Sequence, residues 1–568
     1  MSRFNRQLWQ RFWVIAKLYW FSEEKWGARG LLVLMLLFAL AATGLNVLLT
    51  YQQGEFFSSL AAKDIPRFLR SVFIFLGVLV AAVPVIAFAG YVKDKLGLYW
   101  RQWLTNRFLN KYFSNQAFYH INFNADVDNP DQRISEDIRT FTQQTLTFLL
   151  LSLFSVLQLI AFSAVLFSIS PILVIALLAY AVVATIITAV FFGRFLIGLE
   201  FNQLKREADF RFGLVHIREH AESIAFYQGQ DRESGQVKQR FEEVLRNLDK
   251  LIGWQRNLAF FQNSSKYLVF LLPAVVVAPR YFNGDIELGV INQAQSAFAE
   301  VLGALLVIVE NFQELSQFAA GVNRLATFAE ALEAPTAASL SRANCIETAV
   351  NSKIALAHVT LLTPNHQKTL VKDVSITVPP GEGLLIVGQS GCGKSSLLRA
   401  IAGLWNAGTG CIIRPKLEEM LFLPQRPYML LGSLRSQLLY PNIRREVTEE
   451  ELYRVLQQVN LADLPERVGG LDAELDWADI LSLGEQQRLA FARLLLTQPP
   501  YAILDEATSA LDSQNEECLY KQLHATATTF ISVGHRASLV QYHQYVLALK
   551  GDSSWQVTPA QSYISSLS

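Results

Sequence analysis

The sequence predicts an all-α membrane domain of six helical spans followed by an α/β domain. Three observations predict it: long uncharged apolar runs fill the first 330 residues, short apolar strands alternate with helices from about residue 351, and only 17% of the 568 residues are charged. Soluble proteins average roughly 25% charged residues. Lys plus Arg and Asp plus Glu both number 49, a balance that excludes a strongly basic nucleic-acid binder, so no nucleic-acid partner is expected.

Four apolar runs carry no charged side chain: residues 31–50, 71–92, 146–168 and 172–193. Each is long enough to cross the hydrocarbon core of a bilayer, which needs about 20 helical residues. Helices buried in a soluble core are the alternative, but four such runs in one chain favour membrane spans.

Two weaker runs, residues 258–279 and 292–312, complete the set of six. The first holds Lys266, and the second holds Glu300 and Glu310. Charge inside a membrane is costly, so these helices should face a polar cavity or a partner and are candidates for lining a pathway. The alternative is that Lys266 snorkels and Glu310 lies at the membrane boundary. Counted from their shared loop, Lys266 and Glu300 differ in depth by about 9 Å and are not expected to pair.

The loops predict the orientation of the spans. Lys and Arg concentrate in the N-terminal segment and in the loops 93–145 and 194–257, whereas the alternate loops hold few. The positive-inside rule therefore places both termini in the cytosol. No cleavable signal peptide is visible at the N-terminus.

Four regions follow from these patterns. Residues 1–30 form an N-terminal interfacial (elbow) segment with an amphipathic helix at 7–20, which enters the first span. Residues 31–330 form the membrane domain, whose loops extend the spans into the cytosol as long helices. Residues 331–350 are expected to be a linker, and residues 351–568 the α/β domain.

The α/β domain contains a phosphate-binding motif in its expected context. The apolar strand 384–388 leads into a complete G-x-x-x-x-G-K-[ST] match, and a helix follows. Glycines let the backbone wrap phosphates, Lys394 would reach the β- and γ-phosphates of ATP, and the Ser395 hydroxyl would bind Mg²⁺. The expected nucleotide-binding residues are Gly388, Gln389, Ser390, Gly391, Cys392, Gly393, Lys394, Ser395 and Ser396.

A second apolar strand, residues 501–506, ends in two carboxylates. Asp505 is placed to hold Mg²⁺, and Glu506 to polarise the attacking water. The pair could instead merely cap the next helix, but beside a P-loop the catalytic interpretation is favoured, because phosphoryl transfer depends on positioning and charge neutralisation.

A P-loop alone leaves kinases, GTPases and helicases open, and the segment LSLGEQQR at 481–488 excludes them. With this segment the whole chain resembles a half-transporter of the ATP-binding cassette (ABC) family. The resemblance implies an exporter-like (type IV) membrane domain of six spans and a C-terminal nucleotide-binding domain. Its motifs match Gln425 in the Q-loop, Ser482, Gly484 and Glu485 in the signature, residues 509–512 in the D-loop, and His535 as the switch histidine.

The resemblance also implies roles for these residues. The signature binds the ATP held by the other subunit's P-loop, so a dimer is implied; a homodimer is the simpler reading, and a related partner half stays open. Gln425 would contact Mg²⁺ and, with Glu506 and His535, serve hydrolysis. Glu485 replaces the usual Gln and adds negative charge, which could weaken the phosphate contact or shift it to the backbone. Thr363 stands where the family has an adenine-stacking Tyr.

Several segments, such as NPDQRISEDI at 129–138, resemble the peroxisomal-type subfamily D and its bacterial uptake relatives. The resemblance implies a bacterial plasma-membrane transporter that imports a large polar or amphipathic solute, such as cobalamin or a peptide. One alternative is a lipid or fatty-acyl exporter of the same architecture. The other is a membrane-anchored regulatory ATPase that transports nothing.

Overall fold

The computed structural model describes residues 6–121, 127, 129–333, 345–441 and 446–567. The chain divides into two compact units, Met1–Ala334 and Pro335–Ser568. The predicted linker 331–350 is only partly described: a helix runs to Glu333, residues 334–344 lie outside the described residues, and Glu347–Val350 already forms a strand of the second unit.

Helices make up the described part of the first unit, in keeping with its apolar composition. They are α1 (Arg6–Trp20), α2 (Lys25–Ala61), α3 (Ile65–Phe113), α4 (Ala117–Ile121), α5 (Pro130–Gln132), α6 (Ile138–Ile169), α7 (Pro171–Ile186), α8 (Gly193–Glu219), α9 (Ala221–Phe226), α10 (Gln230–Phe282), α11 (Leu288–Glu310) and α12 (Phe312–Glu333). A π-helical segment, Arg133–Asp137, joins α5 to α6, and another, Ile187–Phe192, joins α7 to α8.

Four helical stretches of the described residues are long and apolar enough to cross a membrane: Lys25–Ala61, Ile65–Phe113, Pro130–Ile169 and Leu288–Val307. They contain the first three predicted spans and most of the sixth, residues 292–307 of 292–312. At the fourth and fifth, the structure has only shorter apolar helical segments, Pro171–Ala184 and Phe270–Phe282. The fourth run was expected to be a strong span, but its helix passes through the π segment and continues into the polar helix α8. Six spans therefore remain a prediction.

The longest helices extend far beyond a bilayer. α3 has 49 residues and α10 has 53, which correspond to about 74 and 80 Å at the α-helical rise, against a hydrocarbon core of about 30 Å. The basic loops 93–145 and 194–257 are thus largely continuations of helices, as predicted, with α3 ending at Phe113 and α8 at Glu219.

The helix α11 packs against α2 at a close backbone contact. A Cβ atom at Gly289 would lie 1.8 Å from the carbonyl oxygen of Gly54, so only glycine fits there. The Gly289 amide also donates to the Ser58 hydroxyl at 3.1 Å. Small residues at such a contact allow membrane helices to approach closely.

The N-terminal helix α1 is amphipathic, as predicted. Its Ile15 and Tyr19 are buried, and the Tyr19 ring stacks on Trp100 of α3 with centroids 5.6 Å apart. Trp9 and Trp13 on the other side are exposed, which suits a helix lying in a membrane interface.

The segment NPDQRISEDI forms α5 and the first π segment. Its Asp137 is buried and accepts hydrogen bonds from Arg133 at 2.7 Å and from Arg324 of α12 at 2.6 Å. Asp131 and Glu136 of the same segment are exposed. Because removing one partner strands a buried charge, this ion pair fixes the segment to α12.

The second unit is an α/β fold with three sheets. Its strands are β1 (Glu347–Val350), β2 (Ile354–Leu362), β3 (Thr369–Val378), β4 (Gly383–Gly388), β5 (Gly408–Arg414), β6 (Met420–Leu423), β7 (Gly432–Ser433), β8 (Glu474–Leu475), β9 (Tyr501–Asp505), β10 (Thr529–Val533), β11 (Tyr545–Leu549) and β12 (Trp555–Pro559). Its helices are α13 (Lys394–Ile401), α14 (Leu434–Leu439), α15 (Glu449–Gln458), α16 (Leu464–Val468), α17 (Trp477–Ile480), α18 (Leu483–Thr497), α19 (Ser513–His524) and α20 (Ala560–Leu567).

The largest sheet has the order β12-β11-β4-β10-β9-β6, and all neighbours from β11 to β6 are parallel. The strands β9 and β10 are buried almost throughout, as expected of parallel strands covered on both faces. A second sheet, β1-β5-β2-β3, is mostly antiparallel, and β7 pairs with β8.

Candidate functional site

The parallel sheet brings the predicted motifs to one edge. Strand β10 lies between β4 and β9, with Val533 opposite both Ile386 and Asp505. The carboxyl ends of these strands therefore meet, and open parallel sheets bind ligands at that edge. The P-loop follows β4, the carboxylate pair ends β9, and His535 follows β10.

The P-loop has a backbone that only glycine adopts easily. Gly388, Gly391 and Gly393 have φ angles of 152°, 80° and 101°, and a Cβ at Gly388 would lie 2.5 Å from the Leu549 carbonyl oxygen. Lys394, at the start of α13, is buried and donates to the carbonyl oxygens of Gly388 at 2.9 Å and Gln389 at 3.1 Å. Its ammonium group is thus held within the loop that would surround the phosphates.

Ser395 and Asp505 form a candidate magnesium site. The Ser395 hydroxyl donates to the Asp505 carboxylate at 3.0 Å. Burial raises the pKa of Asp505, and the hydrogen bond from Ser395 opposes that rise. A hydroxyl and one carboxylate are hard oxygen donors that suit Mg²⁺ beside nucleotide phosphates, whereas the side chain of Gln425, predicted as a third ligand, donates to Glu506.

Glu506 lies at the centre of a polar triad with Gln425 and His535. Its backbone is left-handed, with φ of 49°, and its amide donates to the Val533 carbonyl at 3.2 Å. The Gln425 side-chain nitrogen contacts one carboxylate oxygen at 3.0 Å, and His535 Nε2 contacts the other at 3.2 Å. The three residues predicted to serve hydrolysis are therefore in mutual contact through Glu506. Strained backbone of this kind concentrates at functional sites.

The signature segment begins α18 with a capping box. The Ser482 hydroxyl accepts from the Glu485 amide at 3.3 Å and donates to the Glu485 carboxylate at 2.8 Å, and the Ser482 amide donates to the same carboxylate at 2.9 Å. This reciprocal arrangement satisfies donors at a helix start that otherwise lack partners.

Glu485 was expected to add negative charge near the phosphate, and the structure pairs that charge with an arginine. Arg467, which ends α16, hydrogen-bonds to the Glu485 carboxylate. Burial raises the pKa of Glu485, but the hydrogen bonds from Arg467 and Ser482 outweigh it and leave the pKa below its usual value. The carboxylate is therefore ionised and partly neutralised within the same chain.

Gln487 is a central residue that motif matching missed. Its fully buried side chain donates to the Gln425 carbonyl at 2.8 Å and to the Ser509 hydroxyl at 3.2 Å, and accepts from the Ala510 amide at 3.0 Å. It thus joins the Q-loop, the signature helix and the D-loop. A glutamine between apolar residues on the inner face of α18 was the only signal for this role.

The remaining predicted residues are also placed. Gly484 packs on the D-loop, where an added Cβ would lie 3.1 Å from the Ala510 carbonyl oxygen. Among the described residues, the hydrogen bonds of the Ser482 hydroxyl all go to Glu485. Thr363 lies in a polar turn, and its hydroxyl contacts Asn365 at 2.6 Å, so this position offers no ring to stack on adenine.

Fold and site together define a P-loop ATPase cassette joined to a helical membrane domain. Comparison with known proteins gives the family: the chain belongs to the ABC transporters. The family "ABC transporter transmembrane region 2" matches residues 15–282, and the family "ABC transporter" matches residues 371–509. The protein is therefore an ATP-hydrolysing membrane transporter of the half-transporter type.

Three relatives illustrate the match. An uncharacterized ABC transporter ATP-binding protein of Synechocystis is 46% identical over 94% of this chain and 82% of its own length. The chloroplastic ABC transporter D family member 2 of Arabidopsis thaliana is 40% identical over 96% and 86%. The human lysosomal cobalamin transporter ABCD4 is 32% identical over 98% and 97%. The chain is thus similar to D family members along both of its units.

Proposed function

We propose that two copies of this chain form a transporter of the bacterial inner membrane that imports a large polar or amphipathic solute, with cobalamin as the first candidate. The observation that supports cobalamin as the cargo is the similarity to the lysosomal cobalamin transporter, which extends over nearly the whole of both chains. Inward transport is supported by the resemblance to the bacterial uptake relatives.

The nucleotide chemistry is assigned to the residues at the sheet edge. Lys394 and the P-loop amides hold the β- and γ-phosphates of ATP, and Ser395, Asp505 and Gln425 hold Mg²⁺, which neutralises charge developing on the phosphates. Glu506 accepts a proton from the attacking water. His535, already in contact with Glu506, orients that carboxylate and contacts the γ-phosphate.

A complete site needs two copies of the chain. Each copy has one P-loop and one signature helix, and in the proposed dimer Ser482 and Gly484 of one copy close on the ATP held by the other. The N-terminus of α18 suits this contact, because its free amides and dipole favour phosphate. ATP binding then brings the cassettes together, and hydrolysis releases them to reset the membrane helices.

Inside-out vesicles preloaded with radiolabelled cyanocobalamin test the proposal, since ATP added outside reaches the cassettes. We expect ATP-dependent loss of cyanocobalamin from the lumen, absent with Glu506→Gln. ATP-dependent accumulation of cyanocobalamin in the lumen would instead show that the protein is an exporter. Outward movement of a fluorescent acyl lipid without cyanocobalamin transport would favour the lipid exporter, and steady ATPase activity without any transport would favour the regulatory ATPase.

A further inference from the structure

The membrane helix α11 carries a concentration of polar side chains. We define the polar band as Asn292, Gln293, Ser296 and Glu300 of α11 with Gln53 of α2 and Gln158 of α6. The Ser296 hydroxyl contacts the Gln53 side-chain oxygen at 3.3 Å, and Gln158 donates to the Glu300 carboxylate at 3.0 Å. Polar residues are costly at this depth and mark functional sites in membrane proteins.

Glu300 and Gln158 lie near the middle of the membrane by two independent counts, whereas Asn292 and Gln293 lie about 6–8 Å from the start of α11. Glu300 is 12 residues beyond the start of α11, and Gln158 is 11 residues before the end of α6. These separations correspond to about 18 and 17 Å from the same membrane face, close to the centre of a hydrocarbon core about 30 Å thick. The agreement explains why two residues 142 positions apart in sequence meet.

The band is not satisfied by its own contacts. Gln293 is 8% exposed and packs against Gly54, yet its side-chain nitrogen has no hydrogen-bond partner among the described residues. The side-chain oxygen of Asn292 also lacks one within that part of the chain. Buried polar groups are normally paired, so these two atoms gain a partner only when the helix packing around them opens.

The band can also be reached. Glu300 is only partly buried, and its neighbours on α11, Ala299 and Gly303, are exposed. A Cβ at Gly303 would meet no atom within 4 Å. Small side chains thus leave the helix backbone open beside the carboxylate. A carboxylate turned toward lipid would be strongly disfavoured, which indicates a water-filled path at this face.

We infer that the polar band is the midmembrane contact site for the transported solute, and that it selects solutes rich in hydrogen-bond donors such as amide, hydroxyl and ammonium groups. Glu300 accepts hydrogen bonds from these groups, and Gln293 and Asn292 add amide contacts when the helices around them separate. An acyl chain would gain nothing from these residues. The inference rests on the proposed function and adds to it the place and chemistry of recognition.

Thiol labelling in nanodiscs tests the inference without knowledge of the cargo. Glu300→Cys should react with a charged, water-soluble thiol reagent, with the labelled peptide identified by mass spectrometry. Ile160→Cys is the matched control, because Ile160 is 63% exposed on α6 at a similar depth and should face lipid. An unreactive Glu300→Cys, both without nucleotide and with trapped ATP, would overturn the site.

Cyanocobalamin as the probe separates the site from the cargo. It should slow the labelling of Glu300→Cys at least fivefold, and Glu300→Ala should raise the concentration that half-stimulates ATPase activity at least tenfold while basal activity changes less than twofold. Asn311→Ala is the control, since the Asn311 side chain donates to the Val307 carbonyl and to no other group among the described residues. Labelling without protection would overturn cobalamin as the occupant. A lower basal activity or melting temperature with unchanged half-stimulation would show a structural role only.

Discussion

At the residue scale, Glu506 combines a strained backbone with two polar contacts. Its left-handed φ of 49° turns the chain at the end of β9, and Gln425 and His535 hold its two carboxylate oxygens. Such a conformation is rare outside glycine and persists where the surroundings fix it. The contacts hold the carboxylate in one orientation, as the proposed water-polarising role requires.

Replacement of Glu506 by Gln should separate ATP binding from hydrolysis. The amide keeps the size of the side chain but cannot accept a proton, and a positioned general base contributes roughly 10²–10⁴-fold in rate. We expect ATPase turnover to fall by at least about 100-fold with ATP affinity within a few-fold of wild type. Near-normal hydrolysis by the purified variant would contradict the role.

His543 should make the protein sensitive to acid. Burial beside Phe530 and Tyr520 lowers the pKa of His543 from 6.5 to about 4. Between these pH values His543 is protonated in the unfolded chain but neutral in the folded chain. Stability is therefore lost as the pH falls from about 6.5 toward 4. The free energy of unfolding falls by about 3 kcal/mol at most through this effect.

Thermal unfolding of the solubilised protein between pH 7 and pH 4.5 checks this effect. His543→Phe should flatten the decline in melting temperature, whereas His366→Asn, at an exposed histidine, should leave it unchanged. Equal declines in wild type and His543→Phe would remove His543 as the source.

At the element scale, two contacts stabilise the local packing of helices, one contact within each unit. In the membrane domain, α2 and α11 approach through Gly54 and Gly289. In the cassette, the start of α18 is held by Glu485 and Arg467. Both contacts join elements that are far apart in sequence.

Gly289→Ala should destabilise the membrane domain. The added Cβ would lie 1.8 Å from the Gly54 carbonyl, so α2 and α11 must separate, and overpacking of this kind costs about 1–3 kcal/mol. Gly44→Ala, on the partner helix α2, is the matched control, because a Cβ there meets nothing within 4 Å. We expect a lower melting temperature for Gly289→Ala but not for Gly44→Ala. Equal melting temperatures would show that α2 and α11 separate at no cost in stability.

Arg467→Met should weaken the ATP-driven closure of the two cassettes. In the proposed dimer it leaves the charge of Glu485 unpaired beside the phosphate of ATP. We expect the ATP concentration for half-maximal hydrolysis to rise several-fold. In the double variant with Glu485→Gln, which removes that charge, the value should return toward wild type. If the double variant is no better than Arg467→Met, the charge of Glu485 does not act on the nucleotide.

At the scale of the whole molecule, local and periodic features could be predicted from the sequence. The P-loop, the carboxylate pair and the signature lie in short segments whose strand and helix context is also local. Uncharged runs predicted most of the membrane helices. The fourth run stays a predicted span, because its apolar helix passes through a π segment and continues into polar α8.

Contacts between distant segments could not be predicted. Arg467 neutralises Glu485 from 18 residues away, Gln487 joins three loops, and Gln158 meets Glu300 across 142 residues. These pairings depend on the tertiary fold, and they cannot be predicted from the type of any single residue. The side chains of Lys266 and Glu310 lie outside the described residues, so their roles in the pathway stay predictions.

The central claim is that each ATP lies between the P-loop of one copy and the Ser482 helix of the other. Mixed dimers of Lys394→Ala and Ser482→Arg copies, both carrying Glu506→Gln to trap nucleotide, test it by counting tightly held ATP. If the site is shared, the mixed dimer has one intact site, so we predict one trapped ATP per mixed dimer and none in either parent dimer. No trapped ATP in the mixed dimer, or full trapping by the Ser482→Arg parent, would contradict the account.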